Sequence, residues 1–421
     1  MQKNYKLKSI RSIILNRSLI TLVTILFIRI GTFIPIPGVN LIDLALFIEK
    51  DSVTTNIAYL FSGGDTFKIG LFTLNIVPYI NASIITQIIV KTSSSLSELQ
   101  KEGDLNSKRI INRLTRLIAL IVAIFQSVSL GLYLRSILFE WNIGLLVEIT
   151  ISLTTGSMII LWLSELITEY GLGNGPSLLV FTNILLTFQN INTNLVKRNE
   201  ENLTISSLFT LFIACCLSLF VLFITVNLQE GVRYILIISS KQLTNRYGLL
   251  ENYLPLRVNE SGIIPIILTT SILVLPTYIN KIGIPLGILS TINLPYIDKF
   301  LQTIYWIIYF GLIIVFSLFY AQIALNPKDL SDQLKDRAVA LPGLRPGIQT
   351  TFFLRKVIQR LSFIGSFLLA TAATLPNIIA ILFGITDITG LSISSLIILI
   401  GILVDIEREI TAIIYSNIYR V

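Results

Sequence analysis

The stretch from Ile205 to Leu228 reads ISSLFTLFIACCLSLFVLFITVNL, twenty-four residues without one charged side chain. At a helical rise of about 1.5 Å per residue, about 20 such residues cross a hydrocarbon core about 30 Å thick. A backbone in lipid must satisfy its own hydrogen bonds, so a run of this kind has to be helical. Working outward, comparable runs recur along the chain. Ten spans are expected, near 18–36, 72–92, 114–134, 147–168, 176–189, 205–228, 262–279, 303–325, 358–383 and 391–415. The fifth is short. Segment 52–66 is too broken to cross and reads as a half-inserted helix. Of the 421 residues 53% are hydrophobic and 13% charged, about half the charge of an ordinary soluble domain. The expected class is an all-α polytopic membrane protein.

Lysine and arginine set the orientation. Connections carrying Lys3, Lys6, Lys8, Arg11, Lys108, Arg109, Arg116, Arg233, Lys241, Arg246, Lys335, Arg337 and Arg345 fall on one side of the membrane. The other side holds few, chiefly Lys50, Lys68, Arg135, Lys197, Arg198, Lys281 and Lys299. The positive-inside rule puts the basic side, with both termini, toward the cytoplasm or its organellar equivalent. No cleavable signal peptide is apparent, because the basic start runs on into a full span. The polar stretch 191–204 divides the chain into a half at 1–190, with spans one to five, and a half at 205–421, with spans six to ten. Five is odd, so the second half runs inverted, as in proteins with a path between two repeats. Long cytoplasmic loops are expected at 229–260 and 326–357.

Cofactor and catalytic chemistry find no foothold. Histidine is absent, which removes the commonest metal ligand and proton shuttle. No Walker A loop, His-Glu-x-x-His or Gly-x-Ser-x-Gly occurs, and no paired aspartates lie within spans. No enzyme, metal site or cofactor is expected. The adjacent Cys215 and Cys216 read as small apolar packing residues. An inverted-repeat secondary transporter of small solutes is the alternative, but such proteins place ionisable residues deep in their spans. Here the charges expected in that position are Arg29 in span one and Glu165 near the end of span four.

Six motifs in chain order narrow the class. They begin with Arg29-Ile-Gly-Thr-Phe-Ile-Pro-Ile-Pro-Gly-Val-Asn40, then Phe61-Ser-Gly-Gly64 with Leu74-Asn-Ile-Val-Pro-Tyr-Ile-Asn-Ala-Ser-Ile84, then Ile124-Phe-Gln-Ser127. Ile167-Thr-Glu-Tyr-Gly-Leu-Gly-Asn-Gly175, Leu254-Pro-Leu-Arg-Val-Asn-Glu-Ser-Gly-Ile-Ile-Pro265 and Asn326-Pro with Pro342-Gly-Leu-Arg-Pro-Gly-Ile-Gln-Thr350 complete the series. Together they resemble the SecY/Sec61-alpha family over nearly the whole chain. Each has a plain reading too: Pro35, Pro37 and Gly38 would stop any helix, and Gly63-Gly64 would hinge any re-entrant loop.

The resemblance implies ten transmembrane helices in two inverted five-helix halves around a central hourglass pore. It makes 52–66 a plug helix, with Ile57, Leu60 and Phe61 in the plug and Gly63 and Gly64 at its hinge. It maps a pore ring onto Ile76, Ile80, Val180, Ile267 and Ile398, with the sixth position on Pro176, smaller than the isoleucine expected there. Stiff branched side chains exclude water and offer an ion nothing to bind. Taken singly, each of these isoleucines reads as a packing residue. A lateral gate, the seam through which hydrophobic segments leave for lipid, falls on Gln87, Gln126, Ser127, Thr270 and Ser271, where hydrogen bonds across helices are expected. Docking of the ribosome or the SecA motor ATPase is expected at Arg233, Lys241, Arg246 and Arg345. The implied partners are SecE and SecG subunits, signal peptides, nascent or unfolded polypeptides and membrane lipid. Abundant isoleucine and asparagine with scarce alanine match AT-rich coding, so a plastid thylakoid membrane is expected, with a bacterial plasma membrane as runner-up.

Overall fold

The computed structural model describes residues 2–38, 70–102, 105–133, 135, 141–185, 205–239, 252–281, 295–382 and 393–419. Helices stand at each of the ten expected positions: α1 (Gln2–Thr32), α2 (Val77–Thr92), α4 (Leu105–Tyr133), α5 (Ile143–Tyr170), α6 (Gly175–Leu185), α7 (Ile205–Glu230), α8 (Ile264–Lys281), α9 (Pro295–Ala324), α11 (Ile348–Leu382) and α12 (Ile393–Tyr419). Two shorter helices, α3 (Ser94–Glu102) and α10 (Pro327–Asp336), lie outside the ten expected spans. Among the described residues five helical stretches are long and apolar enough to cross a membrane: Ile14–Thr32, Asn106–Leu132, Ile143–Tyr170, Tyr305–Asp336 and Ile348–Leu375. The short α6 matches the weak fifth span.

Several helices overrun the apolar runs that announced them. α1 begins sixteen residues before the expected span and α11 ten before. Hydropathy marks only the part of a helix that lipid requires, whereas Lys, Arg and Gln are good helix formers that carry it on into water.

A sheet appears where sequence reading expected only polar loops. β1 (Val232–Ser239) pairs antiparallel with β2 (Asn252–Arg257), setting Tyr234 opposite Pro255 and Leu236 opposite Tyr253. The two-residue β3 (Val339–Ala340) lies on the other side of β1, so the order is β2-β1-β3. β1 reads VRYILIIS, rich in the β-branched and aromatic residues that suit a pleated surface. Pro255 sits in the edge strand β2, where a missing N–H is tolerated. The Tyr234 and Tyr253 rings meet edge to face with centroids 6.0 Å apart.

The chain groups into two compact units. The first is Met1–Ile213, Ser271–Asn293 and Ile385–Val421; there α4 packs on α2 and α5, and α1 on α5 and α12. The second is Ala214–Thr270 and Leu294–Gly384, with α9 against α11 and the sheet and α10 joined to α11. Cys216 is exposed on α7 rather than packed.

Candidate channel-lining and docking sites

The approach to α2 is a built turn. Pro35 bridges to Gly70, and the Leu71 amide donates to the Ile34 carbonyl at 2.9 Å. Asn75 takes a left-handed backbone (φ 49°) and its Oδ1 accepts the Ile76 amide at 2.8 Å. Asparagine is among the few residues that adopt this conformation readily. Pro78 then occupies the first turn of α2, where its missing N–H removes no helical bond. The motif Leu74–Ile84 thus fixes where Ile76 and Ile80 stand.

Ile76, 1% exposed, packs with Ile28, Phe72, Ile160, Leu163, Ile167, Leu178 and Leu179. Ile80 and Val180 lie half-buried against the same cluster. Three of the five expected ring positions are therefore brought together on α2 and α6. Ile398 is buried on α12, and Ile267 is buried in the first turn of α8 in the second unit. Pro176 falls in the first turn of α6, after Gly175. The Gly175 amide donates to Thr168 Oγ1 at 2.9 Å, and a side chain there would collide with the Ser164 carbonyl. Glycine at 175 is a close-approach requirement that seats α6 on α5.

The plug residues Ile57, Leu60, Phe61, Gly63 and Gly64 lie outside the described residues, as do Lys241 and Arg246. At the expected gate, Ser127 donates to the Ile124 carbonyl at 2.9 Å and Thr270 to the Ile267 carbonyl at 2.8 Å. These hydroxyls bond one turn back on their own helices, where sequence reading expected bonds across the seam. The amide oxygens of Asn81, Gln87 and Gln126 are buried without a partner among the described residues. Ser271 is helical in α8.

Arg233 lies on β1 opposite Leu256. Arg345 is exposed at the tip of a tightly held turn. Gly343 (φ 78°) and Gly347 (φ 109°) bend it, in a region that side chains rarely enter. The Arg345 amide donates to Gln349 Oε1 at 3.3 Å, its carbonyl accepts Thr350 Oγ1 at 2.9 Å, and Ser331 donates to the Gly347 carbonyl at 3.1 Å. Leu344 tucks against a core of Leu256, Leu334, Leu341, Leu354, Val357 and Ile358. The turn is fixed while its guanidinium stays in solvent.

Three polar contacts escaped sequence reading. Arg116, first counted as a topology-setting cation, forms a two-pronged pair with Glu165, Nε to Oε1 at 2.9 Å and Nη2 to Oε2 at 2.8 Å. Arg29 donates to Asn183 Oδ1 at 3.0 Å, joining α1 to α6. Asn259, Ser261 and Ser317 share a buried network in the second unit. Pairings at such separations carry no local signal in a single sequence.

Helices at all ten expected span positions, an apolar cluster joining the start of α2 to α6, and a sheet with a fixed basic turn describe a polytopic α-helical membrane protein. A family model described as SecY matches residues 70–406. The protein translocase subunit SecY of Trieres chinensis is 48% identical over 419 residues, covering 96% of this chain and 97% of that protein. Among solved structures, a SecY channel whose plug domain is described as stabilising the closed state matches with TM-score 0.68, at 16% identity, over 97% of this chain and 95% of that one. Sec61 in the canine ribosome–channel complex from the endoplasmic reticulum matches with TM-score 0.64, at 17% identity and the same coverage. The chain belongs to the SecY family. It is a pore-forming channel subunit for polypeptides, a multi-pass membrane protein and not an enzyme.

Proposed function

We propose that Ile76, Ile80, Val180, Ile267 and Ile398 form the constriction of this channel, with Pro176 as a looser sixth position. The observation that carries this reading is the meeting of Ile76, Ile80 and Val180 in one aliphatic cluster. Such a waist holds water and ions back while yielding to an extended chain of any sequence. It lies between a half at 1–190 and an inverted half at 205–421. The plug at 52–66, hinged at Gly63 and Gly64, seals it from the far side, with Ile57, Leu60 and Phe61 as its apolar filling.

Hydrophobic segments and signal peptides leave sideways past Gln87, Gln126, Ser127, Thr270 and Ser271. A polar contact between transmembrane helices contributes about 0.6 kcal/mol on average. A leucine-rich signal core of about ten residues gains about 0.3–0.6 kcal/mol per residue on insertion, enough to part such a seam. Hydroxyls that bond to their own helices, as those of Ser127 and Thr270 do, leave fewer bonds to break.

Arg233, Lys241, Arg246 and Arg345 receive the ribosome or the SecA ATPase, which supply the driving force that the chain itself lacks. The Sec61 neighbour is described in a ribosome complex, which supports the first partner. SecE and SecG complete the channel, and AT-biased composition supports a plastid thylakoid membrane.

Planar-bilayer conductance tests the constriction. Ile80→Asp should leak ions at rest by at least about tenfold over the parent, because a charge at the waist is hydrated where isoleucine is not. An unchanged resting conductance removes Ile80 from the ring.

A further inference from the structure

We infer that Asn259, Ser261 and Ser317 form a buried polar fastener that positions the start of α8, and Ile267 with it, against α9. The three side chains are 4%, 3% and 1% exposed. Ser261 Oγ donates to Asn259 Oδ1 at 2.9 Å, and Ser317 Oγ stands 2.7 Å from Ser261 Oγ. A serine has one hydroxyl proton. With Ser261's proton given to Asn259, Ser317 must be the donor to Ser261. Asn259 Nδ2 then donates onward to the Gly262 carbonyl at 3.0 Å. The result is a one-directional chain of hydrogen bonds from the C-terminal half of α9 into the turn that opens α8.

Neighbouring contacts hold the same turn on its other sides. Val258's amide donates to the Gly231 carbonyl at 2.9 Å, closing the base of the β1–β2 hairpin. Val258's carbonyl packs so closely on Gly365 of α11 that any side chain at 365 would collide with it. Arg257's amide is capped by Glu260 Oε1 at 2.8 Å. Beyond the turn, Ile263, Ile266, Ile267 and Leu268 are buried, and Thr269 donates to the Pro265 carbonyl at 2.7 Å. The segment 257–263 therefore ties the hairpin, α9, α11 and the first turn of α8 together. A load applied to the hairpin reaches Ile267 without passing through a loose linker. Sequence reading singled out Leu254–Pro265 as a motif without a task, and this is the task the geometry gives it.

Buried hydroxyls are also a costly choice for a segment that needs only to fill space. Leaving one partner of such a network unsatisfied removes more than the bond itself, because the stranded group stays desolvated. The residues act on position, and no translocating chain need touch them.

The inference rests on Ile267 belonging to the constriction, so the test has one arm independent of that reading. Amide exchange over 258–268 is measured in the channel purified with its own subunits, for the parent, Ser261→Ala, Ser317→Ala, the double variant and Ser317→Thr. Resting conductance and ribosome co-sedimentation are measured on the same preparations. Each alanine variant should speed exchange over 258–268 about tenfold, with the double variant no worse than either single because one chain of bonds is lost once. Ser317→Thr keeps the hydroxyl and should exchange like the parent. Resting conductance should rise about threefold in the alanine variants while ribosome affinity stays within about twofold. Unchanged exchange, additive losses, or a Ser317→Thr variant as fast as Ser317→Ala would overturn the fastener. Faster exchange with unchanged conductance, both in the alanine variants and in Ile267→Asp, would keep the fastener and remove Ile267 from the ring.

Discussion

Two of the apolar clusters among the described residues look alike in composition and differ in what surrounds them. Around Ile76 the core belongs to helices that are apolar on their outer faces too: Leu19, Leu22 and Leu26 of α1 and Ile151, Ile159 and Trp162 of α5 are all exposed. Around Leu354 the core lies under the sheet and α10, whose sequence PKDLSDQLKD buries Ser331 and Leu334 and leaves charges outside. In lipid both the inside and the outside of a helix are greasy, so hydrophobicity does not tell which face is buried. In water it does. The first region is built to be indifferent to lipid and the second to stay folded in solvent, a division that suits the docking role proposed for Arg345.

Leu354→Ala should give the largest effect and separate the regions most cleanly. Leu354 is fully buried, and emptying such a site costs about 2–5 kcal/mol. Faster proteolysis and amide exchange over 232–257, with weaker ribosome binding, are expected. Resting conductance should rise far less than in Ile80→Asp, because the damaged core is not the one containing Ile76 and Ile80 and reaches the proposed constriction only through Ile267. A leak as large as that of Ile80→Asp would mean that the two regions are not separable in this way.

The same contrast explains what was legible in the sequence. The spans were legible because lipid imposes a run of about 20 apolar residues whatever the neighbours do. All ten positions hold helices, although α1 and α11 start well before the apolar runs. The strands escaped because VRYILIIS is nearly continuous in apolar residues and sits in a segment whose overall charge reads as loop. Tyr234, Leu236 and Tyr253 on the exposed face of the hairpin are as apolar as the half-buried Ile235 and Ile237 on the other, so no alternation marked the strand. Ile76 and Ile80 were legible only through resemblance, since nothing local separates an isoleucine at a waist from one against lipid. The pairs Arg116–Glu165, Arg29–Asn183 and Ser261–Ser317 were not legible, because each joins residues from elements far apart in the chain.

A medium effect is expected at the rim of the second region. Arg345 is exposed and its turn is held by backbone and neighbouring side chains, so Arg345→Glu should leave folding and membrane insertion intact. If the guanidinium meets phosphates, charge reversal should weaken ribosome co-sedimentation about tenfold at low salt and flatten its salt dependence. Equal binding across salt concentrations would take Arg345 out of the docking surface and leave the turn as a structural element of the Leu354 core.

The smallest effect should come from the polar closure of the first region. Arg116 lies one turn before Ala119 on α4, and Glu165 one turn after Leu161 on α5; Ala119 and Leu161 meet Ala82 of α2 in a further apolar cluster. The ion pair therefore closes the end of a contact among α2, α4 and α5, beside the helix that carries Ile76 and Ile80. The Arg116 and Glu165 side chains are 50% and 23% exposed, and a pair this open contributes about 0.2–1 kcal/mol. Glu165→Gln should accordingly lower thermal stability slightly and leave resting conductance close to the parent, since Ala82, Ala119 and Leu161 remain packed. Exchanging the charges in Arg116→Glu with Glu165→Arg should restore most of the loss. A Glu165→Gln channel that leaked like Ile80→Asp would show that packing alone does not hold the first region. Its seal would then depend on a polar fastener, as the position of α8 is inferred to depend on one in the second.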